Sequence, residues 1–164
     1  MAPRKTPPSA SAPAPDLGEV RVRPAQRSDL PAVIALDAEN TGESKPVYWR
    51  DRFEWYVGRQ PDDRFFLVAE RRGEMLGFIV GEVRAWEFGS PPAGWVFAIQ
   101  VRPQARLHGL GTMLFDAICD RFRKAGARHV RTMVAKDANL ILSFFRSLGM
   151  MAGPFVQLEK RLGS

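Results

Sequence analysis

The sequence predicts a mixed α/β (α+β) domain, and three features predict it. An alternating stretch, Phe97-Ala98-Ile99-Gln100-Val101, runs through a glycine-containing loop into a segment with Leu110, Met113, Leu114, Ala117, Ile118 and Phe122 at helical spacing. That is a strand, a tight loop and an amphipathic helix in direct succession. Two apolar runs, Phe65 to Glu70 and Met75 to Val83, flank Arg72-Gly73-Glu74 and read as a β-hairpin. Helical and strand patterns alternate along the rest of the chain, an order that gives a mixed sheet covered by helices.

Taken in order, a short first strand around Val22 leads to a helix for which Ser28 is the expected N-cap. Asp29 and Pro31 fill its first turn, and Leu30, Val33, Ile34 and Leu36 form an apolar face that runs to about Glu39. The turn-rich Asn40-Thr41-Gly42-Glu43-Ser44-Lys45-Pro46 separates it from a second helix over Tyr48 to Arg59. Within the hairpin, Gly77 and Gly81 mark points of close approach or bending. A Pro/Gly loop from Arg84 to Gly94 precedes the central strand Trp95 to Val101. After the helix that opens at Leu110 come a strand at about Val130 to Ala135, a helix over Leu140 to Ser147 and a last strand near Phe155 to Lys160.

A chain of 164 residues defaults to one domain, here 18–162, preceded by a Pro/Ala-rich tail at 1–17 that holds too few large apolar groups to offset the entropy of ordering. No apolar run near the start reads as a secretory signal or membrane anchor, so a cytoplasmic location is expected. One cysteine excludes an internal disulfide, and two histidines with it do not make a usual structural zinc site, so no metal is expected. Cys119, beside the apolar stripe of its helix, reads as packing rather than as a nucleophile. The net charge of +6 is spread along the chain rather than massed in a block, which argues against nucleic acid.

The loop Arg102 to Thr112 carries the chemistry. A strand running through glycines into a helix aims unpaired amides and the positive helix end at one point, which suits an anion. A nucleotide-triphosphate loop would need a Lys before Thr112, where Gly111 stands. A dinucleotide fingerprint would need a third glycine where Leu114 stands, so both fail. Arg106-Leu107-His108-Gly109-Leu110-Gly111 instead resembles the Arg/Gln-x-x-Gly-x-Gly/Ala signature of the GNAT superfamily of acyl-CoA-dependent N-acyltransferases. Asn139-Leu140-Ile141-Leu142-Ser143-Phe144-Phe145-Arg146-Ser147-Leu148-Gly149-Met150 resembles that family's later Asn…Phe-Tyr-x-x-x-Gly-Phe element, and Val22 to Leu30 its first strand and helix. The resemblance spans roughly Val20 to Leu162.

The resemblance implies a central mixed sheet of six to seven strands flanked by about four helices. Its two central strands, here those ending at Val101 and Ala135, splay apart to admit the pantetheine arm. It further implies that the backbone of Ile99, Gln100 and Val101 meets that arm, and that Arg106, Leu107, His108, Gly109, Leu110, Gly111 and Thr112 hold the pyrophosphate. Phe144 and Phe145 border the arm, while Asn139 touches the coenzyme or caps its own helix. The implied activity is direct acetyl transfer from acetyl-CoA to an amine, which is a small molecule, a peptide N-terminus or a protein lysine, in a monomer or homodimer. An acyl-CoA sensor on the same fold is the alternative reading.

The usual catalytic side chains are missing from their expected places. Phe145 stands where the family often has a Tyr that protonates the leaving sulfur, and Trp95 and Val134 stand where members carry a carboxylate. Base candidates acting through water are Glu82 and Glu87, with Glu39, Glu43 and Asp137 behind them. The acidic stretch Asp37-Glu39-Glu43 is expected to attract a cationic amine, and Trp86 to touch the acceptor. Tyr48 and Tyr56, the two tyrosines, read as ordinary helix residues. A lysine amine is neutral in only about one molecule in a few thousand at pH 7, whereas a peptide α-amine gives up ~1–1.4 kcal/mol to lose its proton. A site without a strong base therefore favours a low-pKa amine.

Overall fold

The computed structural model describes residues 19–59 and 61–163. The expected tail at 1–17 and the side chains of Leu107 and His108 lie outside that description. The strands are β1 (Arg21–Pro24), β2 (Arg64–Arg71), β3 (Glu74–Arg84), β4 (Ala93–Val101) and β5 (Val130–Arg131). The helices are α1 (Leu30–Thr41), α2 (Pro46–Phe53), α3 (Leu110–Lys124) and α4 (Asn139–Ser147), with α2 running into a π-helical turn at Glu54–Gly58. The sheet order is β1-β2-β3-β4-β5, antiparallel throughout except for the parallel pair β4 and β5. Two compact units are present, Met1–Thr132 with the sheet and α1 to α3, and Met133–Ser164 with α4. No described helix is long and apolar enough to cross a membrane.

Period-two alternation sorts the sheet's two faces. Phe66, Val68, Phe78 and Val80 form one apolar cluster with Val33 and Leu36 of α1 and Trp49 and Phe53 of α2. In it Trp49 meets Phe78 edge-on at 5.2 Å, a geometry aromatic pairs prefer. On the opposite face α3 lies tight against β3 and β4. A Cβ at Gly81 would fall 2.5 Å from the Trp95 carbonyl oxygen and 2.7 Å from the Phe122 ring, so close approach explains that glycine. The hairpin turn forms as expected, with Arg72 (φ 49°) and Gly73 (φ 78°) both left-handed.

Three expectations fail. Among the described residues the sheet has five strands, not six to seven, because residues 151–163 form neither strand nor helix. Phe155, Val156 and Leu158 are exposed there, since an apolar pattern becomes a strand only where a ladder and a buried face exist to receive it. The strand expected over Val130 to Ala135 is cut to two residues. At its end the Thr132 hydroxyl, rather than a backbone amide, donates to the Val96 carbonyl at 2.8 Å. Ser28 does not cap α1 and lies inside a 3-10 turn, Arg27–Asp29. Asp29 closes that turn instead, accepting the Gln26 amide at 2.7 Å while Arg23 holds both of its oxygens at 2.7 and 2.9 Å.

Candidate functional site

Along β4 the two edges behave differently. Its parallel pairing with β5 ends at Gly94↔Val130 and Trp95↔Arg131. Its antiparallel pairing with β3 continues to Gly77↔Val101 but slips once, with Val80 opposite Ala98 and Gly81 opposite Val96, so Phe97 is a bulge. Past Trp95, backbone groups on the β5 side of β4 have no ladder partner among the described residues. This is the opening expected between the central strands.

The loop after β4 turns through a 3-10 segment, Pro103–His108, and Gly109 takes φ 77°, a left-handed conformation that glycine adopts without strain. Among the described residues no side chain caps α3, and its first backbone bond runs from the Met113 amide to the Gly109 carbonyl at 3.0 Å. The amides of Leu110, Gly111 and Thr112 precede that first bond and lie at the helix's positive end, while Gly109 also closes the 3-10 segment. Phosphate oxygens fit such a start.

A hydrogen-bond chain, exposed at Arg106 and buried at Asp37, ties this loop to α1. Asn40 donates to Gln100 Oε1 at 2.9 Å and to the Val101 carbonyl at 3.2 Å, and accepts from Arg106 Nη2 at 2.5 Å. Arg106 Nε also donates to the Val101 carbonyl at 3.3 Å. Gln100 in turn donates to Asp37 at 3.2 Å, and Asp37 accepts from the Trp49 indole at 2.9 Å and pairs with Lys45 at 2.9 Å. The expectation that Asp37 draws in a cationic amine is thus corrected. Its carboxylate is 2% exposed and already neutralised by Lys45. Glu39 faces Arg102 at 3.7 Å, and Glu43 is exposed.

Glu82 emerges from β3 on the α1/α2 face, two residues beyond Val80 in the alternation, and its register partner on β4 is Trp95. The carboxylate absent from the Trp95 position therefore stands one strand away at the same level, because paired residues share a face. Tyr56 donates to Glu82 Oε2 at 2.5 Å, Arg84 Nε donates to Oε1 at 2.8 Å, and Arg64 lies 3.9 Å away. Burial pushes the Glu82 carboxyl up, but the Tyr56 and Arg84 hydrogen bonds outweigh it and hold the group below the usual carboxylate range. The Tyr56 phenol moves up, through burial and then through Glu82, so it keeps its proton. Tyr56 also packs edge-on against the bulged Phe97 at 5.6 Å.

Reading Tyr56 as an ordinary helix residue missed this pairing. The signal available was the alternation that sets Glu82 on the helix-covered face. Around the pair, Arg52, Trp55 and Arg64 complete an open pocket of about 230 Å³. Glu87, the other base candidate, is exposed in the β3–β4 loop, where Trp86 (71% exposed) and Phe88 also face solvent. Burial raises the Cys119 thiol to about 11, which leaves it unreactive near neutrality. In the second unit, the Phe144 and Phe145 rings meet at 5.2 Å with their planes tilted by 59°, and Phe145 is buried. Asn139 is the first residue of α4 and makes no cap, because Ala138 occupies the cap position.

The molecule shares its fold with coenzyme A-dependent acetyltransferases. It matches the structure of aminoglycoside N-acetyltransferase AAC(6′)-Iy in complex with CoA with a TM-score of 0.74 at 16% identity, over 87% of this chain and 94% of that one. The chain belongs to the acetyltransferase (GNAT) family, whose model matches residues 30–150. It is similar to the L-methionine sulfoximine/L-methionine sulfone acetyltransferase of Pseudomonas paraeruginosa, 28% identical over 152 residues, 87% of each chain. It is also similar to the L-2,4-diaminobutyric acid acetyltransferase of Nocardia farcinica, 30% identical over 95 residues. That match covers 58% of this chain and only 47% of the relative.

Proposed function

We propose that the protein transfers an acetyl group from acetyl-CoA directly to the amine of a small molecule. The observation that carries this reading is the open edge of β4 leading into the uncapped start of α3. One end of that track suits a pyrophosphate, on the amides of Gly109 to Thr112 and on Arg106. The edge at Ile99 to Val101 offers backbone partners to the amides of a pantetheine arm, and the bulge at Phe97 is the place for the thioester. The acceptor amine then approaches from the α1/α2 face, past Glu82 and Tyr56.

In the reaction the neutral amine nitrogen attacks the thioester carbonyl carbon. A C–N bond forms, the C–S bond breaks, the nitrogen loses one proton and the sulfur gains one. Glu82 remains ionised at neutral pH and receives the nitrogen's proton through water, with Tyr56 and Arg84 fixing its two oxygens. Because Glu82 sits below the ordinary carboxylate range it is a weak base, and the amine's own pKa sets the rising limb of the pH profile. The sulfur leaves without a dedicated acid, since a thiol of pKa about 8.5 is a fair leaving group near neutrality. Both methionine sulfone and diaminobutyrate, on which the named relatives act, are small-molecule amines.

Free-thiol release from acetyl-CoA over a panel of amines tests the reading. Turnover is expected on small-molecule amines, and Glu82→Gln is expected to lower kcat ~10²–10⁴-fold with the KM for acetyl-CoA unchanged. Release at the buffer rate with every amine, by protein that binds acetyl-CoA, would instead make it a sensor.

A further inference from the structure

The pocket beside Glu82 has more positive charge than its own carboxylate can use. Arg52 and Arg64 line it together with one acid, Glu82, and Arg84, which is not part of the lining, already neutralises that acid at 2.8 Å. Arg64 is only loosely engaged, 3.9 Å from Glu82, with its guanidinium 5.2 Å from the centre of the Trp55 ring. Arg52 forms no ion pair among the described residues; its guanidinium lies 5.6 Å from the centre of the Tyr48 ring, and its Nε is buried without a hydrogen bond. Two guanidinium groups beside an acid that is already neutralised suit a carboxylate, which a guanidinium takes bidentate.

The anion held here is not the coenzyme's pyrophosphate. Glu82 lies level with Trp95, and the loop that suits pyrophosphate begins beyond Val101. Six residues of strand separate the two levels, about 20 Å at the usual rise. The pocket, about 230 Å³ and open to solvent, suits a molecule of amino-acid size. A polycationic acceptor would meet like charge on entering.

Resting on the acetyltransferase reading above, we propose that the acceptor is a carboxylate-bearing amine of the free amino acid class. Arg52 and Arg64 hold its carboxylate, and its amine faces Glu82. Trp55 and Tyr56 supply the flat walls along which its carbon skeleton lies.

The test compares the proteinogenic L-amino acids with their α-carboxamides, using the whole protein. The kcat/KM is read with acetyl-CoA, and the Kd is read by calorimetry with coenzyme A present. The carboxamides are the less basic amines and hold more of the reactive neutral form, so chemistry alone favours them. The expected result is at least one amino acid preferred tenfold or more over its carboxamide. Arg52→Gln and Arg64→Gln are each expected to cut that preference tenfold or more, with the circular dichroism spectrum and melting temperature certifying that the variants fold. Equal use of both forms overturns the proposal, as does carboxylate binding that is undetectable at millimolar concentration. Selective carboxylate binding without any turnover sustains the carboxylate site and sinks the transfer reaction instead.

Discussion

Single residues carry most of what can be tested. Gly109 combines φ 77° with a place at the start of α3, so Gly109→Val adds a branched side chain where phosphate must approach and strains the backbone as well. Acetyl-CoA affinity measured by calorimetry should fall tenfold or more, ~1.4 kcal/mol and above. Asn40 acts at one remove, since it fixes Arg106 through a hydrogen bond and Gln100 through another. Asn40→Ala should raise the KM for acetyl-CoA several-fold with little change in kcat, while Asn40→Asp, which still accepts from Arg106, should recover most of the loss. Gly109 was legible in the sequence because a strand-to-helix join leaves few other choices. The Tyr56–Glu82 pair was not, because it joins residues 26 apart whose meeting depends on how α2 lies across the sheet.

At the scale of elements, the Arg23 cluster fastens β1 to the turn that starts α1 and to β2. Arg23 bonds Asp29 at 2.7 Å and Glu70 at 2.7 Å, and its own pKa rises. Asp29 is pushed up by burial, but its hydrogen bonds from Arg23 and Gln26 outweigh this and hold it below the ordinary aspartate value; Glu70 is lowered first by its Arg23 hydrogen bond. For carboxylates depressed in the folded state, the stabilisation is present above their unfolded pKa values, about 3.9 for Asp and 4.3 for Glu. It is lost as pH falls through the lower folded values. Arg23→Met should therefore lower stability by about 1–3 kcal/mol at pH 7. In thermal melts the gap to the wild-type protein should narrow below about pH 4; a gap that stays constant to pH 3 would contradict the assignment. The elements themselves were legible where pattern and partner coincide, as in the β2–β3 hairpin with its Arg72-Gly73 turn. The segment Phe155 to Lys160 shows the limit, since its apolar pattern said nothing about whether a neighbouring edge would receive it.

For the whole molecule, the architecture reduces to a division of labour across one strand. In the proposed reaction the start of α3 meets the pyrophosphate, the open edge of β4 offers backbone partners, and the α1/α2 face supplies Glu82, Tyr56 and the arginines. The strand, loop and helix of the proposed coenzyme half were legible because they are local, a loop and the residues on either side of it. The acceptor half was not, because Arg52, Trp55, Tyr56, Arg64 and Glu82 come from a helix and two strands that only the fold brings together. The central claim is that acetyl-CoA lies along the open edge of β4 with its thioester at the Phe97 bulge. A crystal structure with coenzyme A tests it most directly. The pyrophosphate should accept the amides of Gly109 to Thr112, and the thiol should end beside Phe97 on the side facing Glu82; coenzyme bound elsewhere, or a thiol directed away from Glu82, would contradict it.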